Sequence, residues 1–167
     1  TPQDIQQLEQ PLPVGDHEFR EAGKNRDETK VQWLVYVNLE GVIPLLNRID
    51  PDWTWEVRET RIEANYVTVS GRLTIKGVSR DGIGGRSPNG KNAVVDEDVV
   101  KGAETDALKR AAVRFGVGLY LRSVPMCWVD YNKNTYKAWE AEKEVEKRFT
   151  VWYERTFGKR NIGEIVE

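Results

Sequence analysis

"WTWEVRETRIEANYVTVSGRLTIKGVSRDGIG", residues 53–84, decides the fold class of this chain. Val67, Val69, Leu73 and Ile75 nearly alternate with polar residues, the period of a strand with one buried face. Lys76-Gly77 makes a compact hairpin turn into VSRDGIG. Residues 53–60 and 65–84 therefore read as three antiparallel strands.

Downstream, the spacing predicts a helix from about Asp96 to Phe115, with Val100, Ala103, Ala107, Leu108, Ala111 and Phe115 as one apolar stripe. Asp96, Glu97 and Asp98 fall at its positive N-terminal end, and Gly116 closes it. "MCWVDYN" (126–132) reads as a short extra strand, and "YKAWEAEKEVEKRFTVWYERTF" (136–157) as a second long helix, apolar through Val145, Phe149, Trp152 and Tyr153. Upstream, "DIQQLEQ" is a short helix ended by proline, and the polar residues 15–30 read as a mobile loop. "VQWLVYV" (31–37) is β-branched and aromatic, the mark of a buried strand. Leu39, Val42, Ile43, Leu46 and Ile49 recur at helical spacing, with Asn38 as N-cap. Pro44 predicts either an irregular first turn or a helix that starts just before it. The expected architecture is α+β: an antiparallel sheet whose β-β-β-α core packs on a long helix, with flanking helices. Residues 1–130 form the core domain in this reading, and residues 131–167 a C-terminal helical extension of it.

Composition narrows the function classes. The chain has 167 residues with one cysteine, Cys127, and one histidine, His17, which disfavours a disulfide framework, a zinc centre or a Ser-His-Asp triad. No apolar run reaches the length of a membrane span and no signal peptide is evident, so a cytoplasmic protein without a membrane partner is expected. Net charge is −2, but its distribution is uneven. Residues 1–70 carry 7 basic and 13 acidic side chains, residues 71–125 carry 10 and 6, and residues 126–167 carry 8 of each. A basic middle in an acidic whole suits a protein that holds an anion in one groove.

"GGRSPNGKN" (84–92) comes close to a phosphate-cradling loop, with Gly85, Gly90 and Lys91 at the right spacing. Asn92 stands where the magnesium-binding hydroxyl belongs, and a hairpin strand precedes the stretch in place of a buried parallel one. "SPNG" therefore reads as a turn, and no ATP or other cofactor is expected. The acids at 96–98, with Glu104 and Asp106, could be taken for a nuclease metal cluster, but acids at a helix N-terminus need no metal to explain them.

"KGAETDALKRAAVRFG" (101–116) carries more. Lys109 and Arg110 project away from the apolar stripe, with Arg114 one turn beyond Arg110. These three form a candidate phosphate-binding row, and Lys101 is a further DNA-binding candidate; the alternative is a solvated face with Asp106–Arg110 as an ordinary ion pair. On the hairpin, Arg72, Lys76 and Arg80 are further candidates, Arg72 and Arg80 on one sheet face. Tyr66, Tyr120, Trp128 and Tyr131 are the aromatic candidates for base contact, while Trp33, Trp53 and Trp152 belong to the core.

The segments "DPDWTWEV" (50–57), "VSGRLTIKGVSRDGIG" (69–84) and "TDALKRAAVRFGVGLYLRSVP" (105–125) resemble the Rad52 superfamily of single-strand annealing proteins, in particular its bacterial branch. The resemblance covers roughly residues 4–130. It implies a β-β-β-α core, a ring-shaped homo-oligomer and single-stranded DNA in a groove around the ring, without ATP or catalysis, in DNA break repair alongside other repair proteins. Lys109 and Arg110 match the family's groove pair. A third basic position falls at Val113, beside Arg114, and one on the first helix falls near Gly41, where there is no cation. Arg86 and Lys91 correspond to basic residues of the outer rim. Two other classes stay open at this stage: a double-stranded-RNA-type shape reader built on the same β-β-β-α core, and a metal-dependent nuclease.

Overall fold

The computed structural model describes residues 5–89 and 93–158. In chain order its elements are β1 (His17–Lys24), β2 (Lys30–Val37), α1 (Leu39–Ile49), β3 (Thr54–Glu63), β4 (Tyr66–Ile75), β5 (Val78–Arg86), α2 (Glu97–Val113), β6 (Cys127–Asp130) and α3 (Ala138–Phe157). The class is α+β, with two antiparallel three-stranded sheets of order β1-β2-β6 and β3-β4-β5. The chain separates into two compact units, residues 1–10 with 39–119, and residues 11–38 with 120–167.

In the first unit, β4 alternates strictly: Val67, Val69, Gly71, Leu73 and Ile75 are buried, and the residues between them are not. The β4–β5 turn places Lys76 and Gly77 at φ 49° and 76°, the two left-handed residues of a tight hairpin. Against the inward face of β4 and β5 lies α2, burying Val99, Ala103, Ala107, Leu108, Ala111 and Ala112. Val99 takes the inward position expected of Val100, which packs half-buried beside it. Phe115 is buried beyond the helix end, and Gly116 turns the chain at φ 98°. Burying a side chain such as Val or Leu is worth about 1.5–3 kcal/mol, so this sheet-on-helix layer is the unit's main source of stability.

Pro44 does not delay α1, which runs from Leu39 and buries Gly41, Val42, Leu45, Leu46 and Ile49. The proline is exposed, so the backbone bond it cannot make falls on the solvent side.

Residues 15–30 are not a mobile loop. His17–Lys24 is a strand paired with β2, and it forms an edge of its sheet. Its charges hid it: an edge strand needs few apolar residues and gains from charged ones, which discourage further pairing. The turn that follows is built by Asn25, whose Oδ1 accepts the N–H groups of Thr29 and Lys30 at 2.9 and 2.7 Å.

In the second unit, Val31, Trp33 and Val129 of the sheet pack on Ala141 and Val145 of α3, with Phe19, Cys127 and Tyr136 around them. The expected extra strand is β6, paired with β2. Of the three tryptophans expected in the core, Trp33 is buried, whereas Trp53 and Trp152 are only half-buried. None of the described helices is long and apolar enough to cross a membrane.

Candidate nucleic-acid interface

The site begins with glycines. Gly82 and Gly84 point from β5 at α2, and a Cβ on either would overlap the helix backbone around Ala103, Ala107 and Ala111. Glycine on the strand and alanine on the helix let two backbones meet without side chains between them. The next face of α2 is thereby pressed against the β5 edge, and its residues are four apart: Gly102, Asp106, Arg110 and Arg114.

Arg86, at the end of β5, lies across Gly102, where any Cβ would meet its guanidinium. One turn on, Asp106 Oδ2 accepts the Gly85 N–H at 3.2 Å and the Arg110 Nε–H at 2.9 Å. Arg114 is the exposed C-cap residue of the helix. Lys109, half-buried, lies seven residues beyond Gly102 and so returns to the same side of the helix. Arg86, Arg110 and Arg114 thus line one ridge where α2 meets β5, and Lys109 adjoins it, about 100° round the helix from Arg110.

Other candidates lie elsewhere. Lys101 is nine residues from Arg110, two and a half turns, hence on the opposite side of α2, and it pairs with Glu97 at 2.5 Å. Arg72 and Arg80 do not share a face. Across the hairpin Arg72 pairs with Asp81 and buried Leu73 with Arg80, so Arg80 is on the α2 side and Arg72 on the other. The Arg80 guanidinium stands 5.5 Å from the Phe115 ring centroid. Arg72 bonds Asp81 at 2.7 Å and holds that carboxyl below its usual range, with Arg58 and Arg114 adding to the effect. Lys76 sits in the hairpin turn, its N–H donated to Asp50 Oδ2 at 2.5 Å. Lys91, with Gly90 and Asn92, lies outside the described residues. Gly85 of the same stretch is part of an antiparallel strand, a setting unlike that of a phosphate-cradling loop.

The acids at the start of α2 have structural partners. Asp96 is the N-cap, accepting the Val99 N–H at 3.0 Å, and Glu97 holds Lys101. Among the described residues no group of three or more His, Cys, Asp and Glu side chains is placed to hold a metal.

Of the aromatic candidates, Tyr66 is exposed at the start of β4 and covers Gly85 on the face away from α2. Tyr120 is an internal residue of the second unit: its hydroxyl is 2.5 Å from His17 Nε2 and accepts the Leu12 N–H at 3.2 Å. Burial raises its pKa well above the usual tyrosine value. Trp128 and Tyr131 also belong to the second unit, both half-buried, and the Lys24 ammonium lies 3.9 Å over the Tyr131 ring.

Sequence reasoning missed the two contacts that build the ridge, Arg86 over Gly102 and Asp106 on the Gly85 amide. One signal was available. A glycine inside a helix costs about 1 kcal/mol relative to alanine, so Gly102 marks a close approach.

Residues 3–140 match the family described as Rad52/22 family double-strand break repair protein. The chain belongs to the Rad52/22 family. It is 37% identical over 131 residues to the single-stranded DNA-binding protein DdrA of Deinococcus radiodurans, which covers 77% of this chain and 60% of that protein. DdrA of Deinococcus deserti is equally similar, 37% over 131 residues, with 62% of its length covered. The DNA repair RAD52-like protein 1, mitochondrial, of Arabidopsis thaliana is 35% identical over 91 residues, 52% of this chain and 51% of that one. The chain thus spans about three fifths of the length of its DdrA relatives. The Rad52/22 match takes in β1 to β6 and ends three residues into α3.

Proposed function

We propose that this protein binds single-stranded DNA along the ridge formed by Arg86, Arg110 and Arg114 with Lys109 beside it, and that it does so as a homo-oligomeric ring that protects and anneals strands in DNA break repair. The observation that carries the reading is the placing of Arg86 and Arg110 side by side along the line where the backbones of α2 and β5 meet. Membership of the Rad52/22 family and the single-stranded DNA binding named for DdrA support it. Cations that neutralise phosphates release condensed counterions, which supplies affinity for any sequence. The bases stay unpaired and open to a complementary strand, and pairing is downhill, so no nucleotide hydrolysis is needed.

The charge distribution supports an oligomer. One protomer at −2 is a weak ligand for a polyanion, whereas a ring repeats residues 71–125, with 10 basic and 6 acidic side chains, and multiplies attachment along one strand. The free β3 edge, with Val57 and Ile62 exposed, offers a surface for such assembly.

The test is Lys109→Ala/Arg110→Ala. It should leave folding and oligomer mass unchanged and weaken binding to all single-stranded sequences alike. Log K against log salt should lose about 0.7 of slope for each phosphate contact removed. Competition with a duplex of equal length separates this reading from duplex-shape recognition. Unchanged affinity and slope in a folded variant would move the site off α2.

A further inference from the structure

An acidic side chain sits in the middle of the basic ridge. Counted as charge, Asp106 should oppose a phosphate chain at Arg110. Its contacts argue otherwise. Its Oδ2 accepts the Gly85 N–H at 3.2 Å and the Arg110 Nε–H at 2.9 Å, so one oxygen joins the strand to the arginine. The strand cannot slide at that point, because Gly84 is against the backbone at Ala103 and Ala107. The carboxylate is two-thirds covered while the arginine is two-thirds exposed. The grip is on Nε, the inner nitrogen, which aims the planar guanidinium fork with its Nη groups outward.

We propose that Asp106 is a positioning residue that presets Arg110 to take a phosphate of the bound strand. This rests on the DNA-binding reading of the ridge. An untethered arginine must give up rotamer freedom when it binds, whereas a tethered one has lost it already. The carboxylate's opposing field decays over about 8 Å at physiological ionic strength, so it bears mainly on the one phosphate that Arg110 holds, where the guanidinium stands between the two anions. Charge counting and presetting therefore predict opposite signs for Asp106→Asn.

The experiment measures the full chain against a fluorescent oligo-dT by anisotropy over a range of salt, using Asp106→Asn, Asp106→Glu, Arg110→Ala and the Asn/Ala double variant. Thermal unfolding and oligomer mass are recorded for each. Presetting predicts that Asp106→Asn, which replaces the charge-assisted grip on Nε by a weaker neutral one, binds up to about three- to tenfold more weakly despite losing a negative charge, the upper value being that for freeing one long side chain. Its salt slope should drop toward that of Arg110→Ala. Asp106→Glu, which keeps the charge but displaces the oxygen, should also bind more weakly, and it carries the test if the Asn variant does not fold. In the Arg110→Ala background the Asn change should cause no further loss. Equal or tighter binding by Asp106→Asn, or wild-type affinity in Asp106→Glu, overturns the inference. So does an equal loss with and without Arg110, because Asp106 would then act by another route. In each of these cases weak binding by Arg110→Ala leaves the ridge reading standing. Wild-type binding by Arg110→Ala would remove both.

Discussion

Gly84 of β5 faces the backbone of α2 at Ala107 with no room for a side chain between them. That closeness brings Arg86 over Gly102 and Asp106 to the Gly85 amide. Gly84→Ala should force the helix off the sheet and cost about 1–3 kcal/mol, the usual range for overpacking a well-filled core. Gly15→Ala, where the added methyl meets nothing within 4 Å, is the matched control and should change stability by no more than about 0.5 kcal/mol. Urea unfolding of both variants checks this, and equal stability would mean that the helix accommodates the methyl by a shift.

Asp50 is buried between α1 and the β4–β5 hairpin, where Oδ1 accepts the Asp52 N–H at 3.2 Å and Oδ2 the Lys76 N–H at 2.5 Å. Asp50→Ala leaves the turn amides without acceptors, at a cost of about 1–3 kcal/mol. Asp50→Asn keeps one acceptor oxygen and should lose less. Denaturant midpoints that rank wild type, Asn, Ala in that order would support the account; an Ala variant as stable as wild type would discard it.

These contacts show where reading the sequence succeeds and where it stops. The strands β3 to β5 were legible because Val67, Val69, Leu73 and Ile75 alternate and Lys76-Gly77 turns the chain, all within a few residues of one another. Lys109 and Arg110 were legible as cations off an apolar stripe. β1 was not, because pairing with β2 holds a charged segment that has no period of its own. The pairing of Arg72 with Asp81 put Arg80 on the other face, and only the hairpin register decides that. Asp106 and Gly85 are 21 residues apart, so no local pattern announces their bond.

The single histidine gives the second unit a pH dependence. His17 Nδ1 lies 3.0 Å from the Val14 carbonyl, which can only accept, so Nδ1 carries the proton and Nε2 accepts from Tyr120. Phe149 packs on the ring at a centroid distance of 4.7 Å, with Tyr153 at 5.8 Å. Burial lowers the His17 pKa below 6.5, although the Val14 and Pro13 carbonyls and Asp16 pull the other way. The folded state therefore binds this proton less readily than the unfolded chain. The contribution is complete above about pH 6.5 and is lost as pH falls through that value toward the lowered one. Unfolding midpoints should drop between about pH 7.5 and 5.5 in the wild type and stay flatter in His17→Gln. Parallel profiles would assign the acid sensitivity to other groups.

Assembly can be separated from strand contact. On β3, Val57 and Ile62 are 42% and 54% exposed, and their partners Gly71 and Val67 place them on the face that α2 covers over its neighbouring strands. If this edge meets a second copy, Val57→Lys/Ile62→Lys should set charges into that contact while costing the protomer at most about 1 kcal/mol per site in strand propensity. Mass photometry should then show smaller species that unfold near the wild-type midpoint. Single-strand affinity should fall as well, because attachment is no longer repeated along the strand. The Lys109→Ala/Arg110→Ala protein should behave in the converse way, with full-sized oligomers and weak binding. A full-sized oligomer in the lysine variant would place the interface elsewhere on the protomer. A wild-type protein that runs as a protomer at micromolar concentration and still binds tightly would remove the ring from the mechanism, leaving the ridge of one chain sufficient.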